Sequence, residues 1–242
     1  MSAGSDKLYR NIADNITVPA EINIYDLGLS YSKDQPQISQ DGMLFKLSDI
    51  QDDAEGMINK WIESCEQYEH ALNLYFLAQL RSQPSLTTKF LSLAQCLEVY
   101  HRKTPAFGDK YMEDDEFKTI RRGLIKQFPK DGRNWFGSRL QYAHELTLKD
   151  RIREIIKPFE GFIGEDRVPQ LVDYIVNTRH YLTHYNPDLE PKAAKGWDLH
   201  VLCLKMEMLF ELRFLELMGF GEEKINSIKR LREKCELPFS DA

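Results

Sequence analysis

From Ser48 onward the apolar residues recur at the three- and four-residue steps of an α-helix; before Ser48 they do not. In residues 1–45, Ile22, Ile24 and Leu27 alternate around Asn23 and Tyr25 as in a short strand. A polar linker follows over residues 30–37. This arm is too short for a core of its own. Ser48 and Gln51 are spaced as a capping box. Met57, Trp61, Tyr68, Leu72, Tyr75, Phe76 and Leu80 then keep helical spacing up to Pro84. Phe90, Leu93, Ala94 and Leu97 mark a second helix over 86–101, closed by Pro105 and Gly108. Phe117, Ile120, Leu124, Ile125 and Phe128 mark a third, stopped by Pro129. Shorter helices are expected over 138–146 and 148–157, the latter opened by Thr147. A helix over 167–184 and a long one over 192–218 come next, with Gly219 as the left-handed residue that ends the second. Ile225, Ile228 and Leu231 form a last amphipathic turn. The pattern predicts an all-α antiparallel helical bundle over 46–242, preceded by an extended arm over 1–45.

One of these helices carries chemistry on its apolar stripe. Val168, Leu171, Val172, Ile175 and Leu182 share a face, and Arg179 falls in the middle of it. A guanidinium in a core stripe is costly unless it is paired or lines a polar cleft. Five residues on comes His184, and Pro187 biases Asn186 out of helical geometry, so the helix should stop near that histidine. An arginine can engage a phosphate and a histidine can move a proton near neutral pH. The bland alternative is an Arg paired with a core carboxylate such as Glu98 and a His bonded to the last helix carbonyls.

Charge and cysteine content narrow the classes. The net charge of −6 does not mark a polyanion binder. Its distribution is uneven: from Lys118 to Arg139 the basic residues Lys118, Arg121, Arg122, Lys126, Lys130, Arg133 and Arg139 face a single acid, Asp131, with Phe128, Trp135 and Phe136 between them. Such a segment can track phosphates and stack bases, or be a solvated surface. Cys65, Cys96, Cys203 and Cys235 have neither CxxC nor metal-ligand spacing, which predicts free thiols in a reducing compartment. No apolar run is long enough for a membrane span, and the N-terminus has no apolar signal core, so a cytoplasmic protein without membrane attachment is expected. No P-loop, dinucleotide fingerprint or HExxH pattern occurs, and no cofactor or metal is expected.

Two stretches together resemble ApeA-like HEPN domains. Residues 91–102, LSLAQCLEVYHR, are similar to the first signature of that family. Residues 178–185, TRHYLTHY, are similar to the second, the Arg-x4-His ribonuclease motif. The resemblance covers about residues 44–220 and implies a HEPN-type bundle. Relatives carry a β-rich domain ahead of it, of which residues 1–45 would be a remnant, as in a short or truncated member; an upstream sensor domain or a phage-derived trigger is then expected to govern activity. The resemblance further implies a homodimeric, metal-independent endoribonuclease of anti-phage defence, acting on RNA by abortive infection or as a toxin. On this chain His184 would be general base or acid, Arg179 would stabilise charge at phosphorus, and His180 would orient His184 or share proton transfer. Glu98 and His101 would support the site. Glu98 would fix Arg179, or else be a flank carboxylate; His101 would otherwise be a core histidine. Arg121, Arg122, Lys126 and Arg133 are the RNA-binding candidates. His70, His144 and His200 have no visible partners and read as structural.

Rival readings remain. The first is a noncatalytic HEPN module that dimerises and binds RNA through the same cleft. Another is a toxin silenced by modification of a tyrosine in an Arg-x4-His-x-Tyr motif; here that position is Asn186, and Tyr185 is one residue early, which argues against it. A metal hydrolase would be a further class, and it lacks ligand spacing.

Overall fold

The computed structural model describes residues 9–13, 16–19, 43–80 and 85–240. The chain divides into two compact units, Met1–Ile38 and Ser39–Ala242. The first contains an antiparallel pair, β1 (Tyr9–Ala13) and β2 (Ile16–Pro19), in which Arg10 faces Val18 and the register shifts between Asn11 and Ala13. No strand is expected here from the sequence, although Ile16 and Val18 alternate around Thr17 in β2. The strand expected at residues 22–27, the linker at 30–37 and the Pro84 break lie outside the described residues.

The second unit is helical: α1 (Leu47–Ile50), α2 (Ala54–Gln67), α3 (Glu69–Gln79), α4 (Leu86–Lys103), α5 (Asp114–Gln127), α6 (Arg133–Arg139), α7 (Leu148–Ile156), α8 (Glu160–Ile163), α9 (Val168–His184), α10 (Gly196–Met218), α11 (Glu222–Ser227) and α12 (Lys229–Glu236). Caps explain the boundaries. Ser85 Oγ accepts from the Thr88 amide at the start of α4, and Thr147 with Asp150 forms a capping box on α7, as its sequence predicts. Gly219 ends α10 at φ 90°, a conformation that strains any side chain with a Cβ.

Three expectations are corrected. The long helix expected up to Leu80 is broken at Tyr68, whose φ of −108° turns the chain so that its ring can pack on Tyr100 at 4.8 Å. The first cap is not Ser48 with Gln51: Asp49 accepts from the Lys46 amide at 2.7 Å. The helix expected over 138–146 lies earlier, at Arg133–Arg139, and the chain then makes turns that bring His144 onto Phe117.

The core is built around α10. Nearly every residue from Leu199 to Leu215 is buried, so the helix is enclosed on all faces. α3 and α4 form an antiparallel hairpin beside it, with Tyr75 stacked on Phe210 at 4.8 Å. α9 runs antiparallel to α10: Thr178 near its end meets Ala194, while Leu171 near its start shares a cavity wall with Lys205 and Met208.

A fully enclosed helix must have its polar side chains satisfied from within the protein. Glu207 lies 2.6 Å from Lys89 and 3.0 Å from Lys234. Glu211 accepts from Lys234 at 2.9 Å, Arg230 at 3.1 Å and the Tyr75 hydroxyl at 2.8 Å. Burial pushes Glu207 toward the neutral acid, yet the charges and hydrogen bonds of Lys234 and Lys89 outweigh it and hold the carboxyl below its usual range. Burial, then Glu211, raises the Tyr75 phenol, which therefore stays protonated and donates. Lys234 is the cation common to both carboxylates. Lys234→Met should lower the unfolding free energy by roughly 3–5 kcal/mol, because breaking a buried pair strands charge. Urea unfolding tests this; a loss under about 1 kcal/mol would mean that the carboxylates are solvated as surface groups are.

Candidate functional site

α9 ends where its sequence predicts. His184 is the last helical residue, and Tyr185 adopts the left-handed conformation at φ 49°, the one non-glycine residue with positive φ among those described. Its amide donates to the Tyr181 carbonyl at 2.6 Å. Asn186 then accepts from the Asp188 amide at 3.1 Å, and residues 187–192 fold back along α9 as a 3₁₀ turn. A bulky left-handed residue stores strain, and such residues cluster at functional sites.

The face of α9 is not divided as the apolar stripe suggests. Thr178, one step before the arginine, takes the buried position, and its hydroxyl accepts from the Ala194 amide at 2.8 Å. Arg179 is only half-buried, and its guanidinium has no hydrogen bond or ion pair among the described residues. His180 is half-buried beside it and His184 is exposed. The three are close enough to sense one another. Burial first, then the charges of Arg179 and His184, hold the His180 imidazole below its ordinary value. His180 is therefore neutral at pH 7 and can accept a proton or a hydrogen bond.

Glu98 and His101 lie elsewhere. Glu98 pairs with Arg102, one turn along α4, at 3.4 Å, the flank-carboxylate reading rather than the Arg179 pair. His101 is the core histidine of its bland reading. Its Nε2 lies 2.5 Å from Glu154, its Nδ1 2.9 Å from Arg151 Nη1, and its ring stacks on Phe107 at 4.6 Å. Arg151, fully buried, also donates to Asp109 at 2.6 Å. Burial, the largest influence, lowers the His101 pKa against the pull of Glu154, and Arg151 lowers it further. The partners of His101 come from 50 residues downstream, beyond the reach of helical periodicity. His144 is likewise structural, stacked on Phe117 at 4.1 Å and 2.8 Å from Asp114.

The basic segment forms the α5–α6 hairpin, and it separates into two kinds of cation. Arg121 donates to the Gly137 carbonyl at 2.5 Å, and Arg133 to the carbonyls of Phe128 (2.9 Å) and Lys126 (2.6 Å). These bonds of Arg121 and Arg133 tie α6 to α5, a structural role that the sequence does not announce. Arg122 and Lys126 remain exposed. Of the interleaved rings, Phe128 and Phe136 stack on each other at 4.4 Å, whereas Trp135 is 58% exposed. An exposed indole and exposed cations on one hairpin are groups that can stack on and neutralise a nucleotide chain.

A family model described as Apea-like HEPN matches residues 91–224, more than half of the chain. The chain belongs to the Apea-like HEPN family. No curated protein and no solved structure matches it. The matched region runs from within α4 into the first turn of α11, so it contains both signature stretches and the whole of α9 and α10. The all-α bundle is thus the fold of an Apea-like HEPN domain, a superfamily that includes ribonucleases and RNA-linked defence proteins. Among the described residues of this HEPN protein, no group of three or more His, Cys, Asp or Glu could hold a metal ion, and no helix is long and apolar enough to cross a membrane.

The coupling on α9 is measurable. In an NMR titration the His180 midpoint should lie below 6.5, and Arg179→Gln should move it upward by removing a charge that opposes the imidazolium. An unchanged or lower midpoint in the variant would separate the two side chains.

Proposed function

We propose that this protein is a metal-independent endoribonuclease, acting as a cytoplasmic homodimer in anti-phage defence. The observation that carries the reading is the grouping of Arg179, His180 and His184 at the open end of α9 in a HEPN-family chain, with the Arg179 guanidinium unpartnered among the described residues. A half-buried, unpaired guanidinium suits a phosphate, which its planar fork can engage at two oxygens. RNA carries its own nucleophile, so cleavage needs only proton transfer and stabilisation of charge. His184 removes the 2′-hydroxyl proton or supplies one to the leaving 5′-oxygen. Arg179 stabilises the negative charge that builds on the phosphoryl oxygens. His180, neutral at pH 7, accepts a proton or orients its neighbour. The 2′-oxygen bonds to phosphorus as the bond to the 5′-oxygen breaks, leaving a 2′,3′-cyclic phosphate and a free 5′-hydroxyl. One chain presents these groups on an open face, and a second copy across a two-fold axis would turn that face into a cleft. Monomer alone by light scattering at micromolar protein would remove the dimer from the proposal.

A second reading is a noncatalytic module that dimerises and binds RNA through the same face. It draws support from His184, which has no hydrogen bond within the chain, among the described residues, to orient its ring.

Cleavage of total RNA in EDTA separates the two. His184→Ala should abolish cutting while leaving the fold intact, since an exposed helix-end histidine contributes little packing. Arg179→Lys should lose on the order of 10²-fold in rate or more, because lysine keeps the charge but not the fork. RNA with a 2′-deoxy sugar at the cut site should resist. Cutting only with a divalent metal, or 5′-phosphate ends, would refute the mechanism; binding without any cutting would leave the module.

The path of the RNA is tested separately. Arg122→Glu with Lys126→Glu should weaken RNA binding and reduce its salt slope by up to about one unit per lost phosphate contact. Arg121→Glu should instead lower thermal stability, since its partner is the Gly137 carbonyl. Unchanged affinity and slope in the double variant would return the hairpin to a solvated surface.

A further inference from the structure

The opposite end of α9 borders a partly open cavity of about 350 Å3, lined by α8, α9, α10, α12 and the segment that follows α12. Its size falls in the range of small-molecule sites. Two cations line it, Lys205 and Arg167, against one acid, Glu236. Lys205 is only 7% exposed. Its ammonium donates to the Cys235 carbonyl at 2.5 Å and, at the limit of a hydrogen bond, to the Lys234 carbonyl at 3.5 Å. No carboxylate among the described residues pairs with it, so among those residues one of its three N–H groups lacks an acceptor and its charge lacks a counterion. A buried ammonium in that condition is costly, in contrast to Lys234, which meets two carboxylates.

Arg167 makes the imbalance larger. Its side chain has no ion pair among the described residues, and its charge acts on both Lys205 and Cys235. Arg167 is also the N-cap position of α9, where no side chain caps the free amides and no acid stands in the first turn. Pro169 has no N–H, so the free amides at the start of this 17-residue helix are those of Val168 and Gln170, the latter lining the cavity, and they add a partial positive charge beside the two cations. Leu171, Met208 and the ring of Phe239 give it an apolar wall, beside the polar Gln170 and Ser240. Phe239 is fixed edge-on to Tyr174 at 4.7 Å, and the Lys205 ammonium lies 5.4 Å from its centroid.

We propose that this cavity binds a phosphate monoester of metabolite size, a mononucleotide being the representative case. The phosphate sits between Lys205, Arg167 and the Gln170 amide at the start of α9, and the organic body lies against Leu171, Met208 and Phe239. Two cations and a helix terminus suit a dianion better than a single carboxylate. The site is separate from the cleavage face: the length of α9 puts roughly 25 Å between its two ends. It does not depend on the proposed nuclease activity.

The test is calorimetry and thermal melting of the full chain with AMP, UMP, adenosine and inorganic phosphate. AMP or UMP should bind saturably and raise the melting temperature. Phosphate should compete with them, and adenosine should not bind. Arg167→Ala should weaken AMP binding at least ten-fold while melting like the parent without ligand, since Arg167 is exposed. Lys205→Gln should do the same to binding, and Arg167→Ala keeps the test decisive if that variant does not fold. His184→Ala should bind AMP as the parent does. The proposal is overturned by no saturable binding at millimolar mononucleotide, by equal affinity in Arg167→Ala, by adenosine binding as tightly as AMP, or by loss of binding in His184→Ala alone.

Discussion

Helix α10 is enclosed on every side, and yet it carries Lys205, Glu207, Glu211 and Arg213 inside that enclosure. A charge in an apolar interior must be paired and hydrogen-bonded, so each of these residues fixes a neighbour. Glu207 fixes α4 through Lys89 and α12 through Lys234. Glu211 brings in α3 through the Tyr75 hydroxyl and α12 again through Lys234. Arg213 donates to the carbonyls of Glu154 (2.7 Å) and Ile155 (2.9 Å), capping the C-terminal end of α7 while lying between the rings of Phe107 and Phe159. The bundle is therefore oriented by ionic and capping contacts as much as by its apolar stripes. Oil-like packing alone would permit helices to slide; directional contacts do not.

α9 inherits its position from this frame. Its first half is buried against the core through Val168, Leu171, Val172 and Ile175, and its last buried residue, Thr178, is tied to the chain entering α10. Beyond that point Arg179 and His180 are half-buried and His184 is exposed. Lys205 is the exception within α10, because backbone carbonyls answer it in place of a carboxylate. The residual positive charge next to the uncapped start of α9 is what makes the cavity there a site for an anion rather than a packing defect.

The same logic sorts the arginines. Arg151 and Arg213 are buried and bonded within the bundle, Arg121 and Arg133 hold the α5–α6 hairpin together, and Arg122 and Arg179 are left to meet something else. Their charges are equal; their partners differ. Lys110 and Asp114 likewise pair locally, and with His144 beside them the Asp114 carboxyl is held down to about 2. That exposed cluster braces the loop ahead of α5.

Much of this was legible in the chain itself, because helix formation and helix ends are short-range matters. The boundaries of α4, α7 and α9, the stop at His184, the glycine end of α10 and the two family signatures depend on residues within a few positions of one another, where spacing and capping chemistry act directly. What only the tertiary structure decided is pairing at long range. Nothing near His101 in sequence announces Arg151 and Glu154, nothing near Glu211 announces Lys234, and helical periodicity put Arg179 in the core stripe when Thr178 holds that place. The break at Tyr68 follows from a ring contact with Tyr100, which local propensity does not encode. Periodicity records which face of a helix turns inward; which partner waits there, and whether the helix outruns its cover, depends on how distant segments fill one volume.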